Sequence, residues 1–209
     1  MLEWSLRAFA DAGVGAAIVA APAGEESRFR AEVDTPGSME VSVVAGGTSR
    51  SESVAAALDP VGTELVAVHD AARPLVTPEL IAELVEALLG RADAAGAIAA
   101  APISDTVKRA REPRVAGGAE RGGPTVVKTE SRDHLWSAQT PQVFRTEALR
   151  KALMSSPQRV AEATDDAWLV EEDGGQVLIH PAPPENLKVT TPFDLRVAEM
   201  LLADRGVGG

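Results

Sequence analysis

Residues 2–102 alternate between helix-patterned segments and apolar runs of strand length, with only short connections between them. Residues 2–12 carry apolar side chains at helical spacing and stop at Gly13. The run AAIVAAP (16–22) is then closed by Pro22. MEVSVVAGG (39–47) reads as a strand ending in a glycine turn, and Ser49 with Glu52 three residues later forms the capping-box pattern of a new helix. ELVAVHD (64–70) is the next strand. Thr77-Pro78-Glu79 supplies an N-cap, a first-turn proline and a first-turn acid for a helix running to about Gly90, and GAIAAAP (96–102) is again a buried strand. Repeated strand–helix units cover both faces of a mostly parallel sheet, so an open α/β fold is expected.

The alternation breaks at about residue 103. Two β-prone pieces, 105–109 and 125–129, flank a middle rich in Gly, Pro and Arg, which predicts a hairpin projecting from the body. Helices are expected from about Thr146 and Thr164, strands at 176–180 and 186–190, and a final helix capped by Thr191 with Pro192 and Asp194 in its first turn. No repeat or long linker divides the chain, so one domain spanning 1–209, with an arm at about 103–133, is expected.

Composition narrows the function. The formal net charge is −11 and aromatics make up 3 %, which argues against nucleic acid and anionic membranes as partners. There is no cysteine, so thiolate metal sites and cysteine nucleophiles are excluded. No run approaches the roughly 20 apolar residues of a membrane span, and the N-terminal segment reads as an amphipathic helix, so a cytoplasmic location is expected.

In sheets of this kind ligands bind beyond the carboxyl ends of the strands. Asp70 follows a buried strand directly and Arg73 lies three residues on. The pair suits a corner for Mg²⁺ and phosphate, because Mg²⁺ takes one or two carboxylates plus substrate phosphates. It equally suits a strand-end cap paired with its neighbour. GGTSRSES (46–53) joins a strand to a helix N-terminus, with Gly47 allowing close approach and Arg50 and Ser53 able to reach a base or phosphate; a glycine turn with a good cap is the plainer reading. Lys188, placed mid-strand in NLKVT, is either an edge lysine or a phosphate ligand. Thr164-Asp165-Asp166 is explained by capping, and Arg132 with Lys128 by a solubilising arm. WSAQTPQVF (136–144) reads as a Pro141-Gln142 turn with no evident chemistry, and His69, His134 and His180 lack metal-ligand spacing. Taken together, the cations at strand ends of an acidic chain point to phosphoryl or nucleotidyl transfer.

The stretches GGTSRSESVAAAL, VHDAARPLVTPELI, PISDTVK, SRDHLWSAQTPQVF, ATDDAWLVEEDG and NLKVTTPFDL resemble, in order, the motifs of the 2-C-methyl-D-erythritol 4-phosphate cytidylyltransferase family. The double alanine of HDAARP favours it over the similar ribitol 5-phosphate cytidylyltransferases. The resemblance implies a Rossmann-like nucleotidyltransferase fold, transfer of CMP from CTP to the sugar phosphate with release of pyrophosphate, and a place in non-mevalonate isoprenoid synthesis. It implies Asp70 as the Mg²⁺ ligand, with Lys188 acting beside it in catalysis. Arg73, Thr164 and Lys188 are implied on the sugar phosphate, and Gly47, Thr48, Arg50, Ser53 and Ala71 on the cytidine nucleotide. Thr106 and Arg132, on the arm, are implied to serve the other subunit of a homodimer. The family's opening strand and its glycine-rich loop with a basic pair have no counterpart ahead of MLEWSLRAF, so an N-terminally truncated domain lacking its first strand is expected, the natural chain beginning upstream; the same absence leaves a non-catalytic nucleotide-binding remnant as the alternative, beside a cytidylyltransferase for another polyol phosphate such as ribitol 5-phosphate.

Overall fold

The computed structural model describes residues 1–111 and 123–207. Its elements in chain order are α1 (Leu2–Asp11), β1 (Ala16–Ala21), α2 (Glu26–Glu32), β2 (Glu40–Ala45), α3 (Arg50–Leu58), β3 (Leu65–Val68), α4 (Pro78–Leu89) and β4 (Gly96–Pro102). There follow β5 (Lys108–Arg111), β6 (Thr125–Thr129), β7 (Trp136–Arg145), α5 (Thr146–Leu153), α6 (Pro157–Glu162), α7 (Asp166–Glu172), β8 (Val177–Pro181) and α8 (Pro192–Val207).

The body holds a four-stranded sheet in the order β3-β7-β4-β8 and a parallel pair, β1-β2. β4 runs parallel to β8, while β7 is antiparallel to both β4 and β3. Thus β3, β4 and β8 share one direction and β7 alone is reversed. Among the described residues, β1 and β3 each pair along a single edge. The four residues of β3 are accordingly only half-buried, although all are apolar.

β4 is buried from Gly96 to Ala101 because helices cover both its faces. With side chains alternating across a strand, Ala97 and Ala99 meet Leu80, Leu84 and Leu88 of α4, while Ile98 joins Phe144, Leu149, Leu169 and Val170 on the α5/α7 side. Small alanines let α4 lie close to the sheet. Gly96 must lack a side chain, since a Cβ there would stand 2.6 Å from the Phe144 ring. A third cluster, Leu6, Phe9, Met39, Val76 and Ile81, fixes α1 against α4.

Three expectations need correction. Residues 186–190 are not a strand: they form a loop tied to the segment after β3 by a bond from the Val189 N–H to the Ala72 carbonyl. Residues 136–145 are not a turn but the long reversed strand β7. Pro141 is tolerated there because the β4–β7 register shifts between Ile98 and Ala100, where the ladder needs no donor from it. The helix expected from Thr164 opens at Asp166, with Asp165 as its cap. The hairpin is present as β5 and β6, antiparallel to each other, exposed at every residue, and starting later than 105. Its Gly/Pro/Arg-rich middle falls largely at 112–122, outside the described residues.

Candidate active site

Asp70 sits two residues past the end of β3. Three cations converge on its carboxylate: Lys188 Nζ lies 2.9 Å from Oδ2, Arg50 Nε 3.4 Å from Oδ1, and Arg73 Nε 3.8 Å from Oδ2. They arrive from α3, from the turn after β3 and from the loop ahead of α8, so segments far apart in sequence meet at one rim. Burial would raise the Asp70 pKa, but the Lys188 hydrogen bond and the charges of Arg50, Lys188 and Arg73 outweigh it and hold the carboxyl below its ordinary value. The group is ionised at neutral pH. Arg73 is buried, and desolvation lowers its pKa, partly offset by Asp70. A guanidinium that titrates this high stays charged regardless.

The backbone beneath the cluster is pinned by β7. The Asp70 N–H donates to Thr140 Oγ1 at 3.0 Å, and Arg73 Nη1 donates to the Asn186 carbonyl at 2.7 Å. Asn186 Nδ2 in turn donates to Gln139 Oε1 and to the Thr140 carbonyl. His69 Nε2 is 3.2 Å from the Arg73 carbonyl and Nδ1 is 3.1 Å from Thr140 Oγ1. A carbonyl only accepts, so Nε2 carries the proton and Nδ1 accepts from the Thr140 hydroxyl. Burial pushes the His69 pKa down to about 4, so the ring is a neutral strut between the two ends of the turn.

Two helix N-termini face the same rim. At α3, Ser49 and Glu52 form the full capping box, and Glu52 also accepts from the Thr48 N–H and hydroxyl. Gly47 has structural work here: its N–H donates to Ser53 Oγ, and a Cβ on it would fall 2.2 Å from Glu52 Cβ. At α7, Gln142 clamps the start of the helix, donating to Asp165 Oδ2 and accepting from the Ala167 N–H. Arg50 bridges the two helices, with Nη1 2.7 Å from Asp166 Oδ2.

The structure therefore brings Asp70, Arg73, Arg50 and Lys188 together, with Gly47 and Thr48 in the loop that opens α3, Ser53 in the first turn of α3 and Ala71 exposed in the turn after β3. Thr164 is exposed, two residues ahead of Asp166. Thr106 and Arg132 are exposed at the arm, with no side-chain hydrogen bond or ion pair to this cluster among the described residues. Sequence reasoning misses Asp166, Thr140, Gln142, Asn186 and His69 as site-building residues. The signal that could find them is the density of polar residues in QTPQ and EN, which an apolar interior admits only when hydrogen-bonded. Two surface depressions, of ≈ 230 Å³ beside Gly13 and Gly37 and of ≈ 390 Å³ beside Arg30 and Val41, lie away from this rim.

An open α/β sheet with an ionised acid and a ring of cations at its strand ends is a nucleotidyltransferase layout, an enzyme built to handle phosphates. The comparisons then give the family. The family model for IspD, 2-C-methyl-D-erythritol 4-phosphate cytidylyltransferase, matches residues 1–204. The enzyme of that name from Acidobacterium capsulatum is 41 % identical over 210 residues, covering 98 % of this chain and 84 % of its own. That from Bordetella petrii is 39 % identical, covering 97 % and 85 %. The crystal structure of the Thermus thermophilus enzyme superposes with a TM-score of 0.75 at 32 % identity, covering 97 % of this chain and 88 % of its own. The chain belongs to the IspD family of cytidylyltransferases.

Proposed function

We propose that this chain joins CMP from CTP to 2-C-methyl-D-erythritol 4-phosphate and releases pyrophosphate, a step of non-mevalonate isoprenoid synthesis. The observation that carries the reading is the ionised carboxylate of Asp70 ringed by Lys188, Arg50 and Arg73. An acid whose charge is taken up by three cations is suited to organising anionic substrates rather than attacking them. The sugar phosphate's own oxygen is the nucleophile, attacking the α-phosphorus in line with the departing pyrophosphate. Catalysis by the protein is then positioning and charge neutralisation.

Arg73 and Lys188 hold the attacking monophosphate, assisted by Thr164. Gly47 and Thr48 ahead of α3, Arg50 and Ser53 in its first turn, and Ala71 in the turn after β3 receive the cytidine nucleotide. Among the described residues no three acidic or histidine side chains gather into a metal cage. Asp70 still fits Mg²⁺, because that ion is commonly held by one or two carboxylates with phosphates and water completing its shell. When bound, Mg²⁺ would neutralise phosphate charge as a Lewis acid. The exposed arm suits a homodimer in which Thr106 and Arg132 of the partner subunit complete each site. The chain acts as one domain over 1–209 with its arm at about 103–133, in the cytoplasm. No helix among the described residues is long and apolar enough to cross a membrane.

The test is a pyrophosphate-release assay with CTP and either sugar phosphate. Release with 2-C-methyl-D-erythritol 4-phosphate well above that with ribitol 5-phosphate is the expected outcome. Equal or reversed rates would overturn the substrate, and no release with either would overturn the activity.

A further inference from the structure

Asp166 has no role in the reading above, yet it is the one fully buried carboxylate among the described residues. It opens α7 behind the Asp165 cap, and its Oδ2 accepts from Arg50 Nη1 at 2.7 Å. Its Oδ1 is buried without a hydrogen-bond partner. A carboxylate so placed costs solvation that one partner only partly returns. Core packing alone would be better served by an apolar or amide residue.

The geometry of Arg50 shows what the charge does. Its guanidinium lies between two acids, close to Asp166 at 2.7 Å and farther from Asp70 at 3.4 Å. Asp70 is the acid that substrates and their counter-ions engage, so its hold on Arg50 changes through the cycle. Asp166 is sealed from solvent, out of reach of water that would compete for Arg50. α7 is itself clamped to β7 by Gln142, so the anchor is rigid.

We propose that Asp166 is a positioning residue that fixes the Arg50 guanidinium for the nucleotide and couples the N-terminus of α7 to that of α3. This rests on the cytidylyltransferase reading for its substrate and on the observed ion pair for its geometry. Burial raises the Asp166 pKa and Arg50 opposes the rise without reversing it, so the positioning role rests on the 2.7 Å contact itself.

The test uses Asp166→Asn and Asp166→Glu in the whole chain. In unliganded protein the Arg50 Nη1–Hη NMR resonances, on the nitrogen that meets Asp166, are expected to be resolved, to collapse toward the mobile-arginine position in Asp166→Asn, and to return in Asp166→Glu. KM for CTP is expected to rise about tenfold in Asp166→Asn, the loss of one charge-assisted hydrogen bond. The turnover number and KM for the sugar phosphate should stay within about threefold. Combining Asp166→Asn with Arg50→Met should add nothing to Arg50→Met alone. If Asp166→Asn does not fold, Asp166→Ser, which admits water, takes its place. An unmoved Arg50 resonance, an unchanged KM for CTP, or additive losses would each overturn the proposal. A wild-type chain that neither binds nor consumes CTP overturns the functional reading instead, and the Arg50 resonance then decides the positioning role by itself.

Discussion

Arg50 and Asp166 carry opposite charges but unequal burial, and that asymmetry sets what their removal does. Arg50 is 35 % exposed at its side chain and Asp166 is 0 % exposed. Arg50→Ala leaves a sealed carboxylate unpaired and should cost about 3 kcal/mol in urea unfolding. Asp166→Asn should cost clearly less, because the freed guanidinium can turn to water. Equal losses would show that the pair is not organised around the buried acid. His69 gives a pH dependence of definite sign. Its folded pKa is about 4 against an ordinary 6.5, so the unfolded chain takes the proton first as pH falls. Its contribution is intact above about 6.5 and fades between 6.5 and 4, amounting to about 2 kcal/mol between pH 7 and pH 5. Unfolding midpoints at the two pH values check this, and His69→Gln should remove most of the slope. Asp70, Arg73, Arg50 and Lys188 are legible from sequence because a charge at the end of an apolar run lacks a partner there and must find one elsewhere. Asp166 is not legible: next to Asp165 in TDDA it reads as helix capping, and only the fold shows Arg50 above it.

At the level of elements, the capped helices and apolar strands of residues 2–102 can be read because pattern, cap and turn agree locally. Three places fail for identifiable reasons. β7 hides behind Pro141, which argues against a central strand until the register shift opposite it is seen. NLKVT alternates like a strand, yet its neighbour is the irregular turn after β3, and the bond from the Val189 N–H to the Ala72 carbonyl ties it there without a ladder. The reversal of β7 relative to β3, β4 and β8 is a property of the whole sheet and leaves no local mark. The arm raises a sharper question, since β5 and β6 expose every residue, including Val126 and Val127. If Arg132 serves the partner subunit, Asp70→Asn and Arg132→Ala lie in one site on one side of a mixed dimer and leave the other site intact. Mixing the two inactive variants should then restore roughly a quarter of wild-type activity. Activity no greater than the sum of the separate variants would place Arg132 outside the partner's site.

For the molecule as a whole, an acidic chain of net charge −11 assembles a cationic rim by drawing arginine and lysine from distant segments to one carboxylate. Bulk charge argues against polyanionic polymers as partners but says nothing of such a local reversal, which the sheet makes by aligning strand ends. The α/β class follows from alternation; the division into a β1-β2 pair and a four-stranded sheet does not, because edge pairing depends on neighbours far along the chain. The central claim is that Asp70, held ionised by this ring, orients two anionic substrates and is not itself needed to bind the nucleotide. The direct measurement compares wild type and Asp70→Asn for turnover with both substrates and for CTP affinity by calorimetry without divalent metal. Turnover should fall by a factor of about 10² or more, while metal-free CTP affinity stays within a few-fold or tightens as the competing negative charge is removed. An unchanged turnover number in Asp70→Asn would contradict the account.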